Sequence, residues 1–293
     1  MFKGPDSLFR VPFDGTFDIA KARTTPPSDA PKKEERKEGL RKFVEELSEL
    51  QHKLYAHDRY SVLVVFQAMD AAGKDGTIRA VFSGVNPAGC EVYSFKHPSA
   101  LALDHDFLWR NWLRLPERGR IGVFNRSHYE EVLIVRVHPE ILAAQKLPNS
   151  RTTDEIWAER YDSIRDAERH LARNGTIIVK FFLHVSREEQ LERFISRLEE
   201  PEKHWKFSEG DLQERTLWPK YMEAYQDTLN ETSRSWAPWY AIPADSKSFM
   251  RYEVARILVE TLKSLDIHFP TVSKERQKEL SGIKEKLLKE QKR

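Results

Sequence analysis

The stretch Asp70-Ala71-Ala72-Gly73-Lys74-Asp75-Gly76-Thr77 sets an acid, a lysine and two glycines close behind the apolar run 62–66. A β-branched apolar run of that length predicts a parallel strand covered on both faces. Glycines let the backbone pass close to an anion, and the helix start that follows offers unpaired N–H groups at the positive end of its dipole. Lys74 adds a movable point charge. The chemistry expected of residues 71–77 is therefore the holding of a phosphate chain.

Against the P-loop pattern G-x-x-x-x-G-K-[ST] the segment departs twice, with Ala68 at the first glycine and Asp75 at the magnesium-binding hydroxyl. Taken alone, the motif also fits an ordinary strand-turn-helix with a solvated lysine. Asp70 adds information: a carboxylate inside a phosphate site is repulsive without a cation, and hard divalent ions such as Mg2+ sit between carboxylates and substrate phosphates. Asp70 thus implies a metal. A second block, Asn125-Arg126-Ser-His-Tyr-Glu130-Glu131, supplies an arginine to steady a transferring group and two further acids for one or two magnesium ions. The plainer alternative is an ion pair between Arg126 and Glu130, with both acids in a solvated helical first turn.

Three blocks carry a resemblance: the loop at 70–78, Phe124-Asn-Arg-Ser-His-Tyr-Glu-Glu-Val-Leu133, and Pro201-Glu-Lys-His-Trp-Lys-Phe-Ser208. Together they resemble the polyphosphate kinase 2 family over roughly residues 33–265. By that resemblance Asp70, Lys74 and Arg126 match functional positions. Glu130 matches a position associated with nucleotide phosphorylation in the branch that acts on both nucleoside mono- and diphosphates. Other branches carry aspartate where Asn125 stands, which leaves Glu130 or Glu131 to complete the metal site. The implied activity is Mg2+-dependent transfer of the terminal phosphate of inorganic polyphosphate to AMP and ADP, forming ADP and ATP. The family's habit of assembly implies a homo-oligomer, a dimer or tetramer. Spacing and charge fit equally an ATP-dependent nucleoside monophosphate kinase, and a non-catalytic phosphate or nucleotide sensor is the rival from another class.

The elements that must position these groups follow from the alternation of the chain. Apolar positions Leu40, Phe43, Val44, Leu47, Leu50 and Leu54 predict an amphipathic helix over 33–54. Strands are expected at 62–66, 90–95, 120–124, 176–183 and 239–243, and helices at 78–82, 101–113 (closed by Pro116) and from an N-cap at Thr153 to Asn174-Gly175. Such alternation predicts a three-layer α/β fold, P-loop kinase-like, with a central parallel sheet of about five strands. Ligands in such sheets bind at the carboxyl ends of strands, so Asp70–Lys74 and Asn125–Arg126 should share one crevice.

Residues 187–238 interrupt the alternation with two expected helices hinged at 201–207, the second capped by Ser208 with Asp211. Their charge suits a lid closing over phosphates. Arg187 and Arg193 are the phosphate ligands expected from it, and Arg193 shares a helix face with Arg197. Trp205 and Phe207 offer stacking surfaces, whereas Trp109 and Trp112 read as core. Asp104 and Arg110 are candidate nucleotide contacts beside Asn125 and Glu130. Residues 1–32, with five prolines and little periodicity, read as an extended N-terminal arm, 33–293 as the kinase domain including a lid at about 187–238, and 274–293 as a charged surface helix.

At 293 residues, with 40% hydrophobic and 32% charged, the chain has the composition of a soluble globular protein. It contains no apolar run of membrane-spanning length and no apolar signal core, so a cytoplasmic protein with no membrane partner is expected. A net charge of +2, with basic residues not interleaved with exposed aromatics, argues against nucleic acid. The lone Cys90 reads as core and the scattered histidines exclude zinc-type spacing.

Overall fold

All of Ser61–Gln67 is buried, and this strand, β1, runs through the middle of the sheet. The structure, a computed structural model, describes residues 2–148, 152–206 and 208–291, except for the side chains of Lys206 and Glu209. Helix α1 (Lys33–His57) leads into β1, and α2 (Lys74–Phe82) leaves it. Strand β2 (Cys90–Ser94) is followed by two short helices, α3 (Ala100–Leu103) and α4 (Trp109–Trp112). After β3 (Ile121–Asn125) come a 3-10 turn, His128–Val132, then α5 (Ile134–Val137), α6 (Pro139–Ala143) and the long α7 (Thr153–Arg173). Strand β4 (Thr176–His184) precedes α8 (Arg187–Glu199), a 3-10 segment Pro201–Lys206, α9 (Glu209–Thr216) and α10 (Trp218–Thr232). Strand β5 (Trp239–Pro243), α11 (Lys247–Lys263) and α12 (Lys274–Gln291) complete the order.

The strands lie in the order β2-β3-β1-β4-β5 and all pair in parallel. Such a sheet needs both faces covered, which is why Val62 to Phe66 are apolar without alternation. Helices α1, α2 and α11 pack against one another, and α7, α10 and α5 form a second group. The three-layer α/β expectation is met, and all five strands fall where the sequence pattern puts them. Residues 9–11 pair antiparallel with the outer side of β5: Val11 N–H donates to Trp239 at 2.9 Å and Ala241 N–H to Phe9 at 2.8 Å. This covers a sheet edge that would otherwise expose unpaired backbone groups.

Several boundaries differ from expectation for local reasons. α2 begins at Lys74 and not at 78, because Gly73 at φ +105° turns the chain straight into the helix. The expected helix 101–113 is divided: Asp106 accepts the Leu108 N–H at 2.9 Å, a turn that competes with the helix. Trp109 stacks on His105 with centroids 4.0 Å apart, while Trp112 stays 42% exposed and so is not core. The N-cap of α7 is Thr152, whose capping box with Glu155 satisfies two end groups. Between 187 and 238 there are three helices, since Pro219 in the first turn of α10 starts a new one. Ser208 does cap α9 in a box with Asp211, and α12 is exposed along its length.

A buried ion pair ties the layers together behind the carboxyl edge. Lys180, fully buried in β4, donates to Glu168 of α7 at 2.6 Å, to the Tyr129 hydroxyl at 2.7 Å and to the Thr232 carbonyl at 2.9 Å. Tyr129 also donates to Glu168 at 2.7 Å. Burial pulls the Lys180 ammonium down to about 8, with Glu168 offsetting part of it. Burial pushes Glu168 up, but Lys180 and His128 outweigh it and leave it below the ordinary range.

Breaking one half of such a pair strands a buried charge, at a cost of about 3–5 kcal/mol. Lys180→Met should therefore lower the urea midpoint by that equivalent. Adding Glu168→Leu should restore much of it; a double variant as unstable as the single would contradict this account.

Candidate active site

The register Phe66↔Asn125 brings the ends of β1 and β3 to the same level, so their following loops leave the sheet side by side. The Arg126 N–H continues the β1–β3 ladder, donating to the Phe66 carbonyl at 3.1 Å, and its φ of +63° then turns the chain out of the strand. That turn aims its guanidinium at the neighbouring loop, where it pairs with Asp70 at 3.2 Å. Two blocks 56 residues apart thus meet through one ion pair.

The loop after β1 is built to leave amides open. Ala71 at φ +61° and Gly73 at φ +105° both take left-handed conformations. Ala72 N–H closes a turn onto Met69 at 3.3 Å, and Thr77 N–H is the first of α2 to bond within the helix, to Gly73 at 3.0 Å. Lys74, Asp75 and Gly76 form the open first turn between them. These residues line a cleft of about 520 Å³ with Asp70, Ala71, Gly73, Ser94, Phe95, Lys96, Asn125, Arg126 and Arg197. Lys74 Nζ donates to the Ala68 carbonyl at 2.7 Å.

On its other side Arg126 borders a smaller cavity with Glu130, Gln190, Asp211, Glu214, Tyr221 and Tyr225. A slot runs from Arg126 and Glu130 past Phe95, Arg110 and Glu131, and a further cavity of about 130 Å³ continues it to His105, Phe107 and Arg160. Arg126, Glu130, Asp70 and Lys74 form a cluster of two cations and two anions. Burial raises Glu130 above the ordinary carboxylate range even though Arg126, Lys74 and Gln67 pull it partly back. Lys74 is lowered by burial and by the Arg126 charge, with the acids offsetting part. Burial acts to lower Arg126, but Glu130 and Asp70 carry it above its usual value.

Carboxylate oxygens on Asp70 and Glu130 are the hard donors that Mg2+ takes when phosphate oxygens and water complete its shell. Among the described residues no group of three or more His, Cys, Asp or Glu side chains is arranged to hold a metal by itself. A cation at this cluster would therefore depend on oxygens brought by substrate.

Not every candidate reaches the crevice. Glu131, next to Glu130, is turned into the protein, where it accepts from Gln145 at 2.7 Å and meets Arg160 at 3.4 Å and Arg110 at 3.7 Å. The structure does not bring it to Asp70. Asn125 does face the cleft, but its amide donates to Asp75 at 2.7 Å and Ser94 at 3.3 Å. Thr77 is buried and bonds Gly73 through both hydroxyl and amide, and Ala72 is buried too. Arg187 is exposed at the start of α8 and Asp104 pairs with Lys146 at 3.1 Å; neither lines the cleft. Arg110 donates to the Lys96 carbonyl at 2.6 Å and lies over the Phe95 ring, in the slot.

Arg193 departs most from the expected phosphate ligand. It is 7% exposed, and its nitrogens donate to the carbonyls of Ala71 (3.1 Å), Ala72 (2.6 Å) and Ala244 (2.5 Å) and to Glu189 (2.7 Å). Its donors are engaged by protein. Trp205 is 79% exposed, and Phe207 lies outside the described residues. Burial, helped by Glu91, pushes the Cys90 thiol up to about 12, in keeping with a packing role. Sequence reasoning missed Gln190, Tyr221, Tyr225 and Glu214; only the i, i+3 spacing of Gln190 and Arg193 hinted that the two act together.

A family model described as polyphosphate kinase 2 matches residues 30–270. The chain is 55% identical to the ADP-polyphosphate phosphotransferase of Rhodopseudomonas palustris, over 96% of this chain and 98% of that protein. It is 46% identical to the AMP/ADP-polyphosphate phosphotransferase of Meiothermus ruber, over 89% and 94% respectively. The crystal structure of a polyphosphate kinase 2 from Arthrobacter aurescens superimposes with a TM-score of 0.86 at 36% identity, covering 96% of this chain and 98% of that one.

The charge cluster makes a titration testable. Because folding raises the Glu130 pKa, the folded state binds its proton more tightly than the unfolded chain. Glu130 therefore costs stability progressively as pH rises from 4.5 through the raised value, and in full above it. Removing Arg126 should raise Glu130 further, since the cation that does most to hold it down is lost. The carboxyl-carbon NMR titration of Glu130 in Arg126→Ala should move to higher pH, and an unchanged or lower midpoint would contradict the cluster.

Proposed function

The chain belongs to the polyphosphate kinase 2 family, and from that premise we propose that it transfers the terminal phosphoryl group of inorganic polyphosphate to AMP and ADP, giving ADP and ATP. The observation that carries this reading is the position of Arg126, paired with Asp70 where the open-amide cleft meets the slot past Glu130. Phosphoryl transfer needs two anionic substrates aligned end to end with their charge neutralised. The donor chain lies along the amides of residues 73–76 and Lys74. The acceptor phosphate enters beside Arg126 and Asn125, with its nucleoside in the slot past Phe95 and Arg110.

In this reading Asp70 and Glu130 would hold Mg2+, which would supply charge neutralisation for phosphoryl transfer. Arg126 donates to the transferring group. Lys74 exchanges the Ala68 carbonyl for a donor phosphate. In this reading α9 is the moving part of the lid expected at 187–238, with Arg187 at its margin and the Arg197–Asp211 contact of 3.5 Å inside it. Residues 2–32 serve as an arm on the body at 33–293, and the enzyme works as a cytoplasmic homo-oligomer, dimer or tetramer. Among the described residues no helix is long and apolar enough to cross a membrane.

The relatives' names differ in acceptor, one naming ADP and the other AMP and ADP. Glu130 at the slot mouth favours use of both. The test is nucleotide formation with long-chain polyphosphate and Mg2+ and no ATP. ADP and then ATP should appear from AMP; inactivity here with activity on ATP plus AMP would overturn the donor assignment, and turnover of ADP alone would overturn the acceptor range. Asp70→Asn and Lys74→Ala should each lose about 10²–10³-fold in kcat, the scale of removing one preorganised charge-stabilising contact. Glu130→Ala should weaken AMP use more than ADP use.

A further inference from the structure

Three consecutive carbonyls of the phosphate loop, those of Asp70, Ala71 and Ala72, accept hydrogen bonds from side chains on a single turn of α8. Gln190 Nε2 donates to Asp70 at 2.9 Å, and Arg193, three residues on, takes the other two. Both side chains are buried, at 2% and 7% exposure. Arg193 also ties the loop to Ala244, beyond β5, so the grip is anchored on a second strand end. A trans peptide whose carbonyl is held from the protein side points its own N–H to the other side, and for the Ala72 carbonyl that N–H is Gly73's, which leads into the open first turn of α2. Ala71 is a non-glycine residue at φ +61°, a conformation that persists only where the surroundings enforce it.

The grip does not end at α8. Gln190 Oε1 accepts from Arg215 of α9 at 2.9 Å, and the same Arg215 nitrogen donates to the Arg187 carbonyl at 2.6 Å. A continuous path therefore joins the loop to the middle of the 187–238 segment: Asp70 carbonyl, Gln190 amide, Arg215 guanidinium. A primary amide is the group that can serve both ends, donating through Nε2 and accepting through Oε1.

We propose that Gln190 is a positioning residue that couples the placement of α9 to the shape of the phosphate loop, so that the loop takes its anion-holding form when Arg215 is seated on Gln190. This rests on reading that loop as the donor-phosphate site. Arg193 supplies the fixed part of the restraint and Gln190 the part that reports on α9. When α9 moves away, Gln190 loses the partner that fixes its amide rotamer, and the Asp70 carbonyl loses its donor with it.

The proposal is tested by calorimetric binding of inorganic tripolyphosphate with Mg2+ and no nucleotide, so that no turnover enters. Loss of one part-buried hydrogen bond of about 1–1.5 kcal/mol corresponds to roughly five- to tenfold in Kd. Arg215→Ala, at a partly exposed position, should weaken binding by that factor, and Gln190→Ala likewise. Gln190→Glu keeps the acceptor for Arg215 but removes the N–H to Asp70, and should be as weak as Gln190→Ala. The double variant Gln190→Ala/Arg215→Ala should be no weaker than either single, since both act through one path. In turnover, KM for polyphosphate should rise by a similar factor while kcat changes less than about twofold, a pattern that loss of uniform binding produces and global destabilisation does not. Wild-type affinity in Arg215→Ala, a Gln190→Glu variant that binds normally, or multiplying effects in the double would each overturn the coupling. A wild-type protein that binds tripolyphosphate but transfers nothing from polyphosphate would instead refute the proposed function and leave the coupling standing.

Discussion

Strand β1 has parallel neighbours on both sides and no residue open to solvent, so its backbone pairing is complete along its length. Because parallel strands all point the same way, every loop that leaves a carboxyl end leaves it on one edge. β1 and β3 are adjacent in register, and this adjacency sets Arg126 against Asp70. β4 on the other side delivers α8, whose first turns reach under the same loop. The crevice is a consequence of sheet pairing: shift β3 by one residue and the ion pair is lost, shift β4 and the carbonyl contacts are lost.

An anion site must keep donors unsatisfied in a protein that otherwise pairs almost every buried polar group. The loop resolves this by engaging carbonyls while leaving amides open. Asp70, Ala71 and Ala72 are held through oxygen, and Lys74 to Gly76 occupy the unbonded first turn of α2. The charges follow a similar logic. Two part-buried cations side by side with no anions would repel each other. Asp70 and Glu130 relieve that repulsion, and Glu130 bears the remaining strain as a raised pKa. Behind the edge, the Lys180–Glu168 pair fixes Tyr129, the residue next to Glu130, so the position of that acid is set by contacts from β4 and α7.

Elements with a strong local signal were legible. The strand expectations rested on unbroken apolar runs, and α9 on Ser208 with Asp211, a capping pattern that needs no distant partner. The helix 101–113 was misread because its apolar spacing suits a helix while Asp106 offers the backbone a competing turn. The loop residues 71–77 were expected to act alike, yet Thr77 is buried and bonds back to Gly73 once the helix register is set.

What the sequence determined by itself is the local chemistry: a strand, a glycine-lysine turn with an acid in it, an arginine-glutamate block, and an alternation that requires a parallel sheet. These depend on residue type and near-neighbour spacing, which the chain displays directly. Only the tertiary structure decided the strand order β2-β3-β1-β4-β5, the choice of Glu130 over Glu131 at the crevice, and the use of Arg193 as a brace. The reason is directional. Adjacent acids in a 3-10 turn point to different sides, and a helical arginine can face substrate or backbone according to how its helix is rotated against the sheet. That rotation is set by packing partners far away in sequence, Ala71 and Ala244 among them, and no local pattern records it.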